Sequence, residues 1–194
     1  METEKKTAAA DRGWYEYLQL LVKVVVPLVL LFSFVIRVVV VDGVSMQNTL
    51  QHGDRLLVLN GWLCGDYEQG DIVIAAKNGF ENGRPVVKRV IAVGGQTVDI
   101  DFPAGIVYVD GVALDEPYIK EATHLREGVE FPLTLQEGEL FLLGDNRNES
   151  KDSRHPTLGA VQEGNIIGRA VFLALPGNTE SLGKREWSRI SILN

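Results

Sequence analysis

The sequence predicts a mainly β protein: an antiparallel, barrel-like sheet domain with a small inserted β lobe, preceded by one N-terminal transmembrane helix. Three observations predict it. A long apolar run ends near Arg37, short β-branched runs punctuated by glycine and aspartate follow it, and no long helical period appears afterwards. In chain order, residues 1–14 read as a cytoplasmic segment and residues 15–37 as the anchor. The stretch 15–36, "YEYLQLLVKVVVPLVLLFSFVI", supplies the roughly 20 apolar residues that a bilayer crossing needs. Lys23 can snorkel toward the headgroups, and Pro27 is tolerated in lipid where neighbouring groups satisfy the freed carbonyl. Trp14, Tyr15 and Tyr17 cluster at one end, as an interfacial belt would. Lys5, Lys6, Arg12 and Lys23 precede the apolar centre and only Arg37 follows it closely. The positive-inside rule then predicts a single-pass cell-membrane protein with a cytoplasmic N-terminus and an extracytoplasmic body. A cleaved signal peptide would need a small-x-small site, and "IRVVVVDG" offers valines instead.

Residues 38–175 form the expected body, with strands at 38–41, 55–59, 72–76, 86–93, 97–100, 106–109, 140–143 and 166–175. Asp110-Gly111 between "IVYV" and "VAL" marks a hairpin, because both central positions of a type I′ turn require positive φ. Residues from about 97 to 138 are richer in turns and acids and read as an inserted cap lobe. The tail, 176–194, carries Trp187 with Lys184, Arg185 and Arg189, which suit either anionic headgroups or ordinary packing.

Composition narrows the function. Nineteen Lys+Arg against 26 Asp+Glu leave a net charge of -7 over 194 residues, which argues against a nucleic-acid partner. The single cysteine, Cys64, excludes an internal disulfide and a multi-cysteine zinc site, and reads as a packed thiol. The loop "GDNRNESKDSR", residues 144–154, fails as a calcium site: Arg147 occupies a ligand position after Asp145, and the sixth place is not glycine. Asn148-Glu149-Ser150 matches a glycosylation acceptor, and Gly94-Gly95-Gln96 matches the tripeptide of peptide-release factors; both are short enough to arise by chance.

Chemistry centres on Ser45, in "VDGVSMQNTL", just after the turn Asp42-Gly43. A serine hydroxyl is a weak nucleophile until a base takes its proton. Of His52, His124 and His155, His52 is nearest in sequence, but no aspartate is marked by motif as its partner. Lys88, in "PVVKRVIAVGG", lies inside an apolar β run and shares a face with Val86 and Val90, while Arg89 projects to the other side. It reads either as an edge-strand lysine that deters aggregation or as a desolvated base whose pKa burial lowers. The loop 144–154 is dense in hydroxyls, carboxylates and guanidinium groups, which suits a rigid, self-paired turn.

Together these segments resemble bacterial type I signal peptidases, the membrane-bound Ser/Lys proteases that remove signal peptides from exported proteins. The family motifs S-M-x-P-T-L, G-D-I-V, K-R-V and G-D-N-R-x-x-S-x-D-S-R stand here as "SMQNTL", "GDIV", "KRV" and "GDNRNESKDSR". The resemblance implies Ser45 as the acylated nucleophile and Lys88 as general base. It implies that Ser150 hydrogen-bonds the lysine, and that Asp145 with Arg89 and Asp152 with Arg154 form supporting ion pairs. The Ser45 N–H would face the oxyanion, and Gly43 stands where some members add a hydroxyl. Preproteins with Ala-x-Ala cleavage sites and the lipid bilayer are the implied partners, the enzyme acting as a monomer without metal or organic cofactor. Val41, Leu50 and Val87 would wall shallow substrate pockets, Gly43 would leave room for the substrate backbone, and Met46 would sit near the membrane surface. Asn48 departs from the usual proline, and Ala92, Gly94 and Gln96 depart from an x-G-x-P-G-D continuation. Two other readings stand beside this one. A self-cleaving Ser/Lys regulator of the repressor type would need a DNA-reading domain where this chain has an apolar segment. A noncatalytic anchored β-domain that binds exported proteins would have no need of both Ser45 and Lys88.

Overall fold

The apolar run forms a helix, α1 (Glu2–Leu30), which passes into a π-helical turn at Leu31–Val35. Over Trp14–Val35 the mean hydropathy is 2.4, and no part of the window is buried against protein. A helix that is apolar and has no protein face is suited to lipid. The structure, a computed structural model, describes residues 2–177 and 185–193, with side chains from residue 14 onward. The chain divides between Arg37 and Val38 into two compact units.

Twelve strands are described, all but the first belonging wholly to the second unit. In chain order they are β1 (Ile36–Val40), β2 (Arg55–Asn60), β3 (Ile72–Ala75), β4 (Val86–Val93), β5 (Thr97–Asp101), β6 (Ile106–Val109), β7 (Val112–Ala113), β8 (Leu133–Thr134), β9 (Glu139–Leu143), β10 (Val161–Gln162), β11 (Ile166–Leu175) and β12 (Ser191–Ile192). The larger sheet runs β1-β2-β11-β3-β4-β9-β10, with β12 also paired to β11. A smaller sheet runs β7-β6-β5-β8. Register shifts in β11, at Ala170/Phe172 and Leu173/Leu175, and between Val90 and Ala92 of β4 curl the larger sheet, because an extra residue bends the strand that carries it. The fold is mainly antiparallel β.

Strand β9 shows why the interior runs are continuously apolar. Leu140 and Leu142 face one core with Val73, Ala75, Phe80 and Val90, while Phe141 and Leu143 face another with Val98, Ile100 and Phe102. Period-two alternation with both faces covered leaves no polar position in "LFLL". The second of these cores joins the smaller sheet to β4 and β9. The hairpin forms at Asp110 (φ 51) and Gly111 (φ 78), pairing Val109 with Val112. Strands β8, β10 and β12, two residues each, lie outside the expected set.

The described tail is tied to the body by charge. Asp54 is fully buried and accepts from the N–H groups of Gln51 and Gly177, both at 2.7 Å. Arg189 donates to both its oxygens, at 3.0 and 2.6 Å, and reaches Thr49 O at 3.3 Å. Arg189 is therefore committed to protein rather than to headgroups. Arg185 stacks 6.0 Å over the exposed Trp187, and Lys184 lies outside the described residues.

Candidate active site

A turn after β1 carries Ser45, and it is pinned from both ends. Gly43 takes φ +99, where a side chain would be strained, and its N–H donates to His52 Nδ1 at 3.2 Å. His52, its side chain 62% exposed, thus braces the turn from the solvent side. Downstream, Met46 O accepts from the N–H groups of Thr49 and Leu50. Asn48 takes φ +88 and donates toward Tyr118 O and Ile119 O, at 3.3 and 3.4 Å. Proline, with φ fixed near about -65°, could not adopt this conformation. The departure from the family's proline is a change of backbone region as well as of side chain.

Strand β4 lies between β3 and β9, with Val73 opposite Lys88, so the edge-strand reading of this lysine fails. Lys88 is 2% exposed, and its Nζ is hydrogen-bonded to Ser45 Oγ at 2.7 Å. Burial pulls the amine down from 10.5 to about 8, against the opposing pull of Asp152, Glu127 and Asp145; Arg154 adds to the lowering. About one molecule in ten then carries a neutral amine at pH 7, against roughly three in ten thousand at the ordinary value.

The loop 144–154 builds the other side of the site. Arg89 grips Asp145 bidentately, Nε to Oδ1 at 2.9 Å and Nη2 to Oδ2 at 2.8 Å. It also donates to Gly70 O at 2.8 Å and stacks 4.0 Å over Tyr118. Thr49 Oγ1 donates to Asp145 Oδ2 at 2.5 Å, tying the Ser45 turn to this pair. Arg154 chelates Asp152, Nε to Oδ1 at 2.8 Å and Nη2 to Oδ2 at 2.9 Å, with both side chains fully buried. Ser150 donates its only hydroxyl proton to Asp152 Oδ2 at 2.8 Å. Among the described residues, the hydrogen-bond partner of Lys88 Nζ is Ser45; Ser150, which the resemblance places on the lysine, is within hydrogen-bond reach of Asp152 instead.

Three residues that carry no separate mark in the sequence complete the geometry. Asn146 donates its backbone N–H to Ser45 O at 2.9 Å and its Nδ2 to Val44 O at 3.1 Å. Because a peptide unit is planar and trans, fixing the Val44 carbonyl aims the Ser45 N–H the opposite way. No acceptor among the described residues takes that N–H, so it is available to a developing oxyanion. Gly144 is required by closeness alone: a Cβ there would strike the Ser150 hydroxyl and come within 2.5 Å of Ser45 O. Arg147 binds Glu116 through both terminal nitrogens, at 2.9 and 2.6 Å, and Gly144 O at 3.0 Å, joining loop and lobe.

Several expected substrate contacts need correction. Val41, Met46 and Leu50 are 3%, 1% and 0% exposed and pack with Leu56, Val58, Ile72 and Ile74 beneath the turn. They form the core under the Ser45 turn and do not wall an open pocket, and Met46 presents nothing to a membrane. Val87 is half-buried against the same core, and Gly43 is exposed with open space where a side chain would be. Gly94 is needed because a Cβ would lie 2.8 Å from Gln136 O, and Gln96 bridges Val93 N and Asp110, each at 3.0 Å. That turn is structural. Cys64 is buried, with carbonyls of Leu59 and Asn60 beside its sulfur.

Sequence comparison gives the family. The family described as "Signal peptidase, peptidase S26" matches residues 14–175. The chain belongs to that family. Signal peptidase I of Bacillus licheniformis is 33% identical over 184 residues, covering 91% of this chain and 96% of that protein. Signal peptidase I T of Bacillus subtilis (strain 168) is 34% identical over 188 residues, covering 91% and 93%. A probable signal peptidase I-1 of Synechocystis is 36% identical over 170 residues, covering 84% and 83%. As a family S26 member the chain is a serine endopeptidase of the signal peptidase I type, a hydrolase of signal-peptide processing, and its apolar N-terminal helix fits a membrane anchor.

Proposed function

We propose that this peptidase cuts signal peptides from exported preproteins through a Ser45/Lys88 dyad, after the small residues of an Ala-x-Ala type site. The supporting observation is the 2.7 Å contact between a 2% exposed amine and the serine hydroxyl. Neutral Lys88 takes the Ser45 proton as Oγ attacks the scissile carbonyl. The Ser45 N–H, aimed by Asn146, receives the oxyanion. The resulting ammonium protonates the leaving amine, and the neutral amine then activates water against the acyl-enzyme. Arg89–Asp145 and Arg154–Asp152 shape the loop and take no proton in the cycle. Exposed Gly43 leaves room for the substrate backbone beside Ser45, and half-buried Val87 precedes Lys88 on β4.

The charge bias of Lys5, Lys6, Arg12 and Lys23 supports an N-in orientation with the enzyme body outside the cytoplasm. Ser45→Ala and Lys88→Ala each lower cleavage of a signal-bearing precursor by at least about 10⁴-fold while the protein stays inserted and folded. Mass spectrometry of the released mature N-terminus reads both the activity and the residues before the cut. Near-normal turnover by Lys88→Ala would end the dyad reading.

A further inference from the structure

We propose that Asn48 is a positioning residue for the reaction: through its side-chain amide, segment 116–120 holds the Ser45 turn against the strand that carries Lys88. The inference rests on the Ser45/Lys88 reading above. The turn itself is stiff. Gln47 N–H donates to Val44 O at 3.0 Å, and the N–H groups of Thr49 and Leu50 donate to Met46 O at 3.1 and 2.8 Å. A shift at Asn48 is therefore passed back to Ser45 rather than absorbed between them. Met46 and Leu50 seat the turn on its core from below. Asn48 is exposed, and its Nδ2 donates to Tyr118 O and Ile119 O at 3.3 and 3.4 Å. Lys120 Nζ adds a second tie, donating to Gln47 Oε1 at 3.2 Å.

The segment at the far end of those bonds is itself fixed. Glu116 accepts from Arg147 Nη1 and Nη2 at 2.9 and 2.6 Å, and from the Tyr118 hydroxyl at 3.0 Å. Lys120 N–H donates to Asp145 O at 3.0 Å. The Tyr118 ring lies 4.0 Å from the guanidinium of Arg89, the residue after Lys88 on β4. Contacts running from Asn48 through Tyr118 to Arg89 thus close a brace between the turn bearing the hydroxyl and the strand bearing the amine. Among the described residues, none of the brace's hydrogen bonds ends on Ser45 Oγ or Lys88 Nζ. The brace therefore acts on the 2.7 Å separation of those two atoms and carries no proton itself. Misplacing reacting groups by about 1 Å costs roughly 10²-fold in rate, and losing two long, neutral hydrogen bonds allows a fraction of that. Asn48 makes its bonds from a φ of +88, and the proline usual in the family supplies neither that φ nor a donor.

The test measures kcat and KM of the full-length protein in lipid vesicles, cutting a synthetic signal-bearing peptide, with kcat taken per folded molecule. Asn48→Gly keeps the positive φ and removes the amide. Its kcat falls about tenfold while KM stays within about twofold of wild type. Asn48→Asp keeps the shape but sets an acceptor against two carbonyls, so its kcat falls further. Tyr118→Leu frees the segment from Arg89 and also lowers kcat. The double variant Asn48→Gly/Tyr118→Leu loses no more than the larger single loss, because both changes break one path. Wild-type kcat in Asn48→Gly, a loss confined to KM, or losses that multiply in the double variant each overturn the proposal. Lys88→Ala serves as the separate control: turnover by that variant sinks the dyad, whereas an inactive Lys88→Ala beside an unimpaired Asn48→Gly sinks only the role of Asn48.

Discussion

Lys88 and Arg89 are neighbours on β4, exposed by only 2% and 3%, yet their surroundings treat their charges in opposite ways. Arg89 meets both oxygens of Asp145, Gly70 O, Thr49 Oγ1 and the face of Tyr118. Lys88 meets one hydroxyl. Alternation along the strand sends the two side chains to opposite faces, so one segment keeps a permanent cation next to a removable one. Arginine could not take the second role, since a guanidinium does not give up its proton in proteins. A buried amine becomes a base where burial is joined to a scarcity of direct acceptors.

Replacing the well-served cation has the largest effect on folding. Arg89→Met leaves Asp145 buried without its partner and costs about 3–5 kcal/mol, read as a lowered denaturant midpoint. Pairing it with Asp145→Leu restores much of that loss; a single variant costing under about 1 kcal/mol would mean that the pair does not hold the loop.

Replacing the poorly served cation acts in the other direction. Lys88 has a folded-state pKa of about 8 against 10.5 for the free side chain. The unfolded chain therefore holds the proton more tightly, and the folded state bears the full penalty below pH 8. The penalty disappears as pH rises through 8 to 10.5. Lys88→Met should thus stabilise the inactive protein by about 3 kcal/mol at pH 7, with the gap closing toward pH 10.5. Denaturation midpoints measured at both ends test this, and a gap that widens with pH would contradict the burial of a costly charge.

The smallest effect belongs to a residue that touches neither cation. Asn146→Ala frees the Val44 carbonyl and lets the Ser45 N–H swing, lowering kcat about tenfold, or ~1.4 kcal/mol, with KM little changed. A rise in KM at constant kcat would assign Asn146 to substrate binding instead.

How much of this was legible depends on the range of the interaction. Strands at 86–93, 106–109 and 166–175 appear with those bounds because their β-branched runs and turns are local signals. Strands β8, β10 and β12 are two residues long and exist through their partners, so no local pattern announces them. In the site, the face of Lys88 could be read from alternation. The roles of Asn146, Gly144 and Arg147 could not, because each depends on a residue far away in the chain. Val41, Met46 and Leu50 show the converse error: apolar side chains beside a serine look like a pocket wall, but the turn needs its own core.

The pairing of Asp54 with Arg189 bears on where the folded body stops. The family match closes at residue 175, yet a fully buried carboxylate at the foot of the Ser45 turn is neutralised from fourteen residues further along. Trimming the chain to the matched region would strand that anion in the interior, at a cost of several kcal/mol. The segment that carries Arg189 therefore works as a clasp fastened across the base of the Ser45 turn, and expression boundaries drawn from homology alone would cut through it.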